Sequence, residues 1–172
     1  MKLKLIIVFL LFVNKISFAQ HPASGSDIYR LHLDNFAGVW EWTSGNSTLR
    51  IKIKKVHYYF KDWNYTEDIL MGCYKYVKDG IVIEDDLSNF ETIGQNKMSK
   101  IFVWSEMDGS EPTIVFGRLK DHLRHKTETL KLQYVTGVTP TLASDILNIG
   151  SFIVKPTLPG ITLLTNITLV KL

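Results

Sequence analysis

From Phe36 onward, apolar and polar residues alternate with a period of two, the mark of strands with one buried and one wet face. In the first such run Gly38, Trp40 and Trp42 point one way, and Val39, Glu41 and Thr43 the other. In the second, Leu49, Ile51 and Ile53 face inward while Arg50, Lys52 and Lys54 face out. Ser44-Gly45-Asn46 supplies the positive-φ positions that a tight connection needs. The second run ends at Val56 to Phe60, and Lys61 to Asn64 read as a loop with Trp63 partly tucked in. Asp68 to Val77 resumes the alternation, with Leu70, Gly72, Tyr74 and Tyr76 on one face and Ile69, Met71, Cys73 and Val77 on the other. Apolar residues on both faces predict a central strand, or one between a core and a cavity. Lys78-Asp79-Gly80 then turns the chain into a return strand at Ile81 to Ile83.

The rest of the chain repeats this pattern in shorter pieces. Ser88 to Lys100 is polar and reads as a loop. Strands are predicted at Ile101 to Glu106, Thr113 to Leu119, Thr127 to Val135, Ser151 to Val154 and Asn166 to Leu172, with a turn at Asp108-Gly109. Thr139-Pro140 predicts a capped short helix over Thr141 to Asn148. Roughly eight to ten short strands and no long helix give an all-β antiparallel meander. A β-barrel leaves no open edges, and at about eight strands it is either packed or holds one small ligand. A two-sheet β-sandwich is the alternative.

The first residues follow a different pattern. Met1-Lys2-Leu3-Lys4 is basic, Leu5 to Val13 is an apolar run, and Ser17-Phe18-Ala19 ends in small residues. This is the layout of a cleaved signal peptide, a helix over residues 1–19. The run is too short to span a bilayer, which takes about 20 apolar residues. No Cys follows the cleavage site, so the reading is an exported protein of periplasm or extracellular space, without a lipid anchor or a transmembrane segment after cleavage. Residues 20–35 read as an N-terminal linker, with Ile28, Leu31 and Leu33 as a short turn or helix leading into the hairpin, and residues 36–172 as a single β-rich domain.

Export changes the charge. The chain carries 20 Lys+Arg against 17 Asp+Glu, and Lys2, Lys4 and Lys15 leave with the signal. The remainder is formally neutral and has no general pull on nucleic acid or an anionic membrane. Cys73 is the one cysteine, so no intramolecular disulfide forms; it reads as a buried thiol.

The aromatic residues are the most suggestive chemistry. Tyr58, Tyr74 and Tyr76 are placed to line a cavity, with Trp63 beside them as a fourth ligand-binding candidate. His122-Leu123-Arg124-His125 lies between two strands, where residues three apart face opposite sides, and reads as a solvated connector. Glu84-Asp85-Asp86 reads as a wet turn, and Arg50, Lys52, Lys54 and Lys55 as a basic outer stripe that deters edge pairing or meets a partner. No nucleophile elbow, phosphate loop or Cys-x-x-Cys occurs, so no catalytic residue, metal or cofactor is assigned. The expectation is a non-enzymatic exported barrel that binds a small apolar or amphipathic molecule. Its rival is a structural or interaction module of the cell envelope with a filled core.

Two resemblances bear on this. Phe36-Ala37-Gly38-Val39-Trp40 resembles the Gly-x-Trp motif that opens the first barrel strand of lipocalins and other calycins, which implies a Trp packed across the barrel's closed end. The Phe-x-Gly-x-Trp hairpin, Asp68-Ile69-Leu70-Met71-Gly72, the Lys-Asp-Gly turn and the closing Asn166-Ile167-Thr168-Leu169 together resemble small secreted Bacteroidetes proteins of a domain family of unknown function. That resemblance implies export and a β-rich fold, and no chemistry.

Overall fold

The computed structural model describes residues 22–94, 99–104, 113–147 and 162–172. Among them are the strands β1 (Asp27–Ile28), β2 (Gly38–Ser44), β3 (Ser47–Phe60), β4 (Tyr65–Lys78), β5 (Ile81–Asp85), β6 (Ile101–Trp104), β7 (Ile114–Asp121), β8 (Lys126–Val135), β9 (Thr141–Leu147) and β10 (Ile167–Lys171). Eight of them close a barrel in the order β4-β3-β2-β10-β9-β8-β7-β6, with β6 returning to β4. Every pairing in the ring is antiparallel. The fold is the all-β antiparallel barrel that the alternation predicts, calycin-like as the Gly-x-Trp resemblance implies, and not a two-sheet sandwich. Among the described residues no helix is long and apolar enough to cross a membrane.

Two local expectations are corrected. Thr141–Leu147 is a strand and not a helix, pairing with β8 on one side and β10 on the other. Ala143 favours a helix, but Thr141 and Ile146 are β-branched, and two waiting edges outweigh the helical preference of Thr139-Pro140 and Ala143. Polar Ser88 to Lys100 is not plain loop either: Leu87–Thr92 forms a 3-10 helix. The signal at residues 1–19, the turn at Asp108-Gly109 and the strand at Ser151 to Val154 lie outside the described residues.

The interior is built from the predicted faces. Trp40 stands opposite Ile51, which stands opposite Tyr74, so one row of the sheet turns three large side chains inward. Leu49, Ile53, Leu70, Leu119, Leu132, Leu142 and Leu169 fill the rest, all fully or nearly fully buried. Gly72 and Gly117 interrupt the inward rows because the backbone comes too close for a side chain. A Cβ on Gly72 would lie 2.5 Å from the Lys52 carbonyl oxygen, and one on Gly117 2.4 Å from that of Phe102. Glycine there lets the strands coil tightly enough to close.

One end of the barrel is plugged. A 3-10 helix, Leu31–Asn35, leads into β2, and Leu33 and Phe36 are fully buried in the interior cluster. The Trp40 indole N–H donates to the Phe36 carbonyl at 2.8 Å. The Tyr134 ring meets Phe36 and Trp40, at 5.9 and 6.3 Å between centroids, and the Lys171 ammonium lies 5.2 Å from the Trp40 ring centre.

β4 is apolar on both faces because it serves two cores. Its outward Ile69, Met71 and Cys73 join Ile93 in a second cluster, covered by Leu87, Phe90 and Phe102. The second 3-10 helix is therefore a lid on the outside of the barrel wall. Burial pushes the Cys73 thiol up to about 11, which makes it a packing group at neutral pH.

Candidate functional site

The end opposite the plug carries charge inside the barrel. β5 pairs with the last residues of β4, and Tyr76 stands opposite Glu84, so Glu84 faces inward with the tyrosine. The Tyr74 hydroxyl donates to one Glu84 carboxylate oxygen at 2.5 Å. The Lys100 ammonium donates to the other, and both side chains of that ion pair are nine-tenths buried. The same ammonium lies 5.6 Å from the Tyr74 ring centre, in the attractive range of a cation over a π face.

Local structure explains why a lysine can stand there. Lys100 is the residue before β6, and its carbonyl accepts from the Lys120 N–H at 2.8 Å. Its neighbour Ser99 stitches the approach to β4: the Ser99 hydroxyl donates to the Gly72 carbonyl at 2.6 Å and accepts from the Gly72 N–H at 2.7 Å. Desolvation by burial, together with the nearby Lys120 charge, holds the Lys100 ammonium below its ordinary value. Burial, with Asp121 and Asp86 near, pushes the Tyr74 phenol well above its own.

Asp121 completes the group. It ends β7 fully buried, continuing the inward series of Val115, Gly117 and Leu119. Its carboxylate accepts from the Arg124 N–H at 3.0 Å, the Thr162 N–H at 2.8 Å and the Thr162 hydroxyl at 2.9 Å. Lys126 and Glu128 form a further ion pair at 2.6 Å at the start of β8, with side chains 6% and 1% exposed. That Glu128 oxygen is fully buried and is held by the ion pair without a hydrogen bond among the described residues. Burial, with Lys100 and Lys120 near, lowers His122 below its ordinary value.

Of the four sequence-derived ligand residues, two come together here. Tyr74 and Tyr76 both face the interior at this end and are buried. Tyr58 does not share their face. β3 turns its odd-numbered residues inward, so Tyr58 lies outside, edge-on to Phe60 and Phe102 at 5.0 and 6.3 Å. Trp63 sits in the β3–β4 connection, half exposed, 5.9 Å from Phe60 and 6.4 Å from Tyr65 between ring centres. A single cavity lined by Tyr58, Tyr74 and Tyr76 is therefore not what the strands build. The acidic run is also corrected: Glu84 is an inward ion-pair partner, while Asp85 pairs with Lys75 on the outside at 2.8 Å. The basic stripe is divided as well. Arg50 meets Glu41, Lys52 and Lys54 lie over the Phe90 ring, and Lys55 turns to Asp34 at the plug.

Away from this group, a hollow of about 280 Å³ lies on the outer wall of β8 to β10. Ala143 forms its floor, between Gln133 and Thr168. Its walls are mixed in charge and shallow.

The model of a family of unknown function, DUF6705, matches residues 1–145. The chain belongs to this family. The match spans β1 to β8 and most of β9, and so covers Tyr74, Glu84, Lys100 and Asp121. No curated protein and no solved structure matches the chain. The family brings no chemistry with it, so function has to be argued from the barrel.

Proposed function

We propose that this protein is an exported, non-enzymatic barrel that binds a small amphipathic molecule at the end opposite the plug. The ligand's polar group meets Tyr74, Glu84 and Lys100, and its apolar part lies along Leu49 and Tyr76. The observation that carries the reading is the Tyr74–Glu84–Lys100 group, charged and hydrogen-bonded inside an apolar wall. Burying two charges costs several kcal/mol each unless they are well paired, and a filled apolar barrel of the same volume avoids that cost. Binding pockets have this make-up, apolar walls with a few placed polar groups. Export rests on the signal-peptide layout of residues 1–19.

The test is native mass spectrometry of the purified protein, followed by titration with amphipathic probes read by tryptophan fluorescence. A bound species, or a saturating probe response that Lys100→Met weakens by about tenfold or more, is expected from the loss of a charged hydrogen-bond partner. No bound species and no probe response would leave the rival reading, a structural module. That reading has its own support in the fully shielded Trp40, Leu132, Leu142 and Leu169. Export is tested by N-terminal sequencing of protein recovered outside the cytoplasm, where an intact Met1 would overturn it.

A further inference from the structure

Residues 23–36 cross the plugged end as a strap, and their main-chain hold is slight. The Gly25 N–H donates to the Asn64 carbonyl at 2.5 Å, and the Thr66 N–H to the Ser26 carbonyl at 2.9 Å. β1 pairs only Asp27 and Ile28 with β4, in parallel. Side chains supply the rest. The Arg30 guanidinium meets Glu67 at 2.8 Å, and the Lys55 ammonium lies 2.7 Å from Asp34 and 3.6 Å from Asp68.

At the centre is His57 on β3. Its Nδ1 lies 2.8 Å from an Asp68 carboxylate oxygen, and its Nε2 lies 2.6 Å from an Asp27 carboxylate oxygen. The Tyr29 ring stacks on the imidazole at 4.7 Å, and its hydroxyl donates to Asp27 at 3.0 Å. Asp68 is buried and also accepts from the Arg30 N–H at 2.9 Å. A neutral imidazole has one N–H, and its other nitrogen is an acceptor. It can therefore satisfy one of these carboxylates and must turn a lone pair toward the second. Only the imidazolium donates to both.

We propose that His57 is a protonation-dependent clasp that fastens the strap to the barrel and so holds the Leu33–Phe36 plug in place. With the proton on, one cation ties the strap's Asp27 to the barrel's Asp68. With it off, one ring nitrogen turns a lone pair against one of the two carboxylates, the tie between Asp27 and Asp68 is broken, and the strap is left to its main-chain bonds, Arg30 and Lys55. Asp27, Asp68 and the Tyr29 ring touch the imidazole, and the other charged groups on the elements packed around it are Arg30 from the strap, Asp34 from the 3-10 helix, Lys55 from its own strand and Glu67 from β4.

The direction of the pH dependence follows. The Asp68 hydrogen bond, and after it the Asp27 contact, raise His57 above 6.5 despite some desolvation. Its contribution is complete below 6.5 and is lost as pH rises through the folded-state value. Burial pushes Asp68 up, but the Arg30 N–H, His57 and Lys55 outweigh it and hold the carboxyl below 3.8. Its contribution is complete above 3.8 and is lost as pH falls through the lowered value. The clasp is thus fully closed in mildly acidic solution and opens toward alkaline pH.

The experiment is hydrogen exchange at the amides of residues 27–36 from about pH 6 to about pH 9, corrected for intrinsic exchange, beside an NMR titration of His57. Protection in the strap is expected to fall as His57 deprotonates, by up to about tenfold for each unit by which its midpoint exceeds 6.5. His57→Gln should give weaker protection with no such pH step, while the amides of β7 and β8 stay protected. Should His57→Gln fail to fold, Asp27→Asn, altered at an exposed side chain, should lower the His57 midpoint and shrink the step. Strap protection that stays level while His57 titrates would overturn the proposal, as would a full-sized step in either variant.

Discussion

Trp40 is enclosed by Phe36, Tyr134 and Lys171, and its one polar atom is spent on the Phe36 carbonyl. Trp40→Ala would leave a cavity at the plug as well as lose the transfer energy of the ring. A loss of about 3–5 kcal/mol is expected, read as a lower midpoint in denaturant unfolding. Lys126 makes a different kind of demand. Replacing it with Met leaves the Glu128 carboxylate buried, 2% exposed and without its cation. That should cost about 3–5 kcal/mol at neutral pH, and the same measurement on the Lys126→Met, Glu128→Leu pair should recover much of it. Cys73 is expected to resist alkylation in the folded protein at neutral pH, because burial moves its thiol to about 11. Rapid labelling under native conditions would place it outside the second cluster.

Strands and turns were legible in the sequence to the extent that they follow period two. β2, β3, β4, β7 and β8 are all marked by alternation, and Asp79 and Gly80, both at positive φ, form the hairpin turn that their identities announce. β9 was misread because its residues carry little pattern of their own and are made a strand by the neighbours on both sides. Tyr58 was misplaced for a simpler reason: it looks like Tyr74 in composition and differs only in parity along its strand. Asp121 was in principle visible, as the next inward position after Val115, Gly117 and Leu119. Glu84 and Lys100 were not, since each stands at a strand end where burial depends on what crosses above it. At this scale the glycines give the sharpest test. Gly72→Ala forces a methyl against the Lys52 carbonyl oxygen, so β3 and β4 must separate, and the variant should unfold at a lower midpoint by more than the few tenths of a kcal/mol typical of a surface change.

As a whole the molecule is a ring whose seam is made by the first and last barrel strands. Lys171 stands opposite Trp40 and Val170 opposite Glu41, so closure waits for residues at the far end of the chain. β4 is the hub of the ring. β3 pairs with 13 of its 14 residues along one edge, and β1, β6 and β5 divide the other edge among them. Such a hub assembles from nearby sequence, whereas the seam joins residues separated by most of the domain, and that is the slow kind of contact to form. Until β10 arrives, β2 and β9 both present unpaired backbone. A chain emerging from a translocon or ribosome is thus a sticky open ribbon for as long as its tail is missing, and a stop codon just before Ile167 would yield aggregates instead of a smaller barrel.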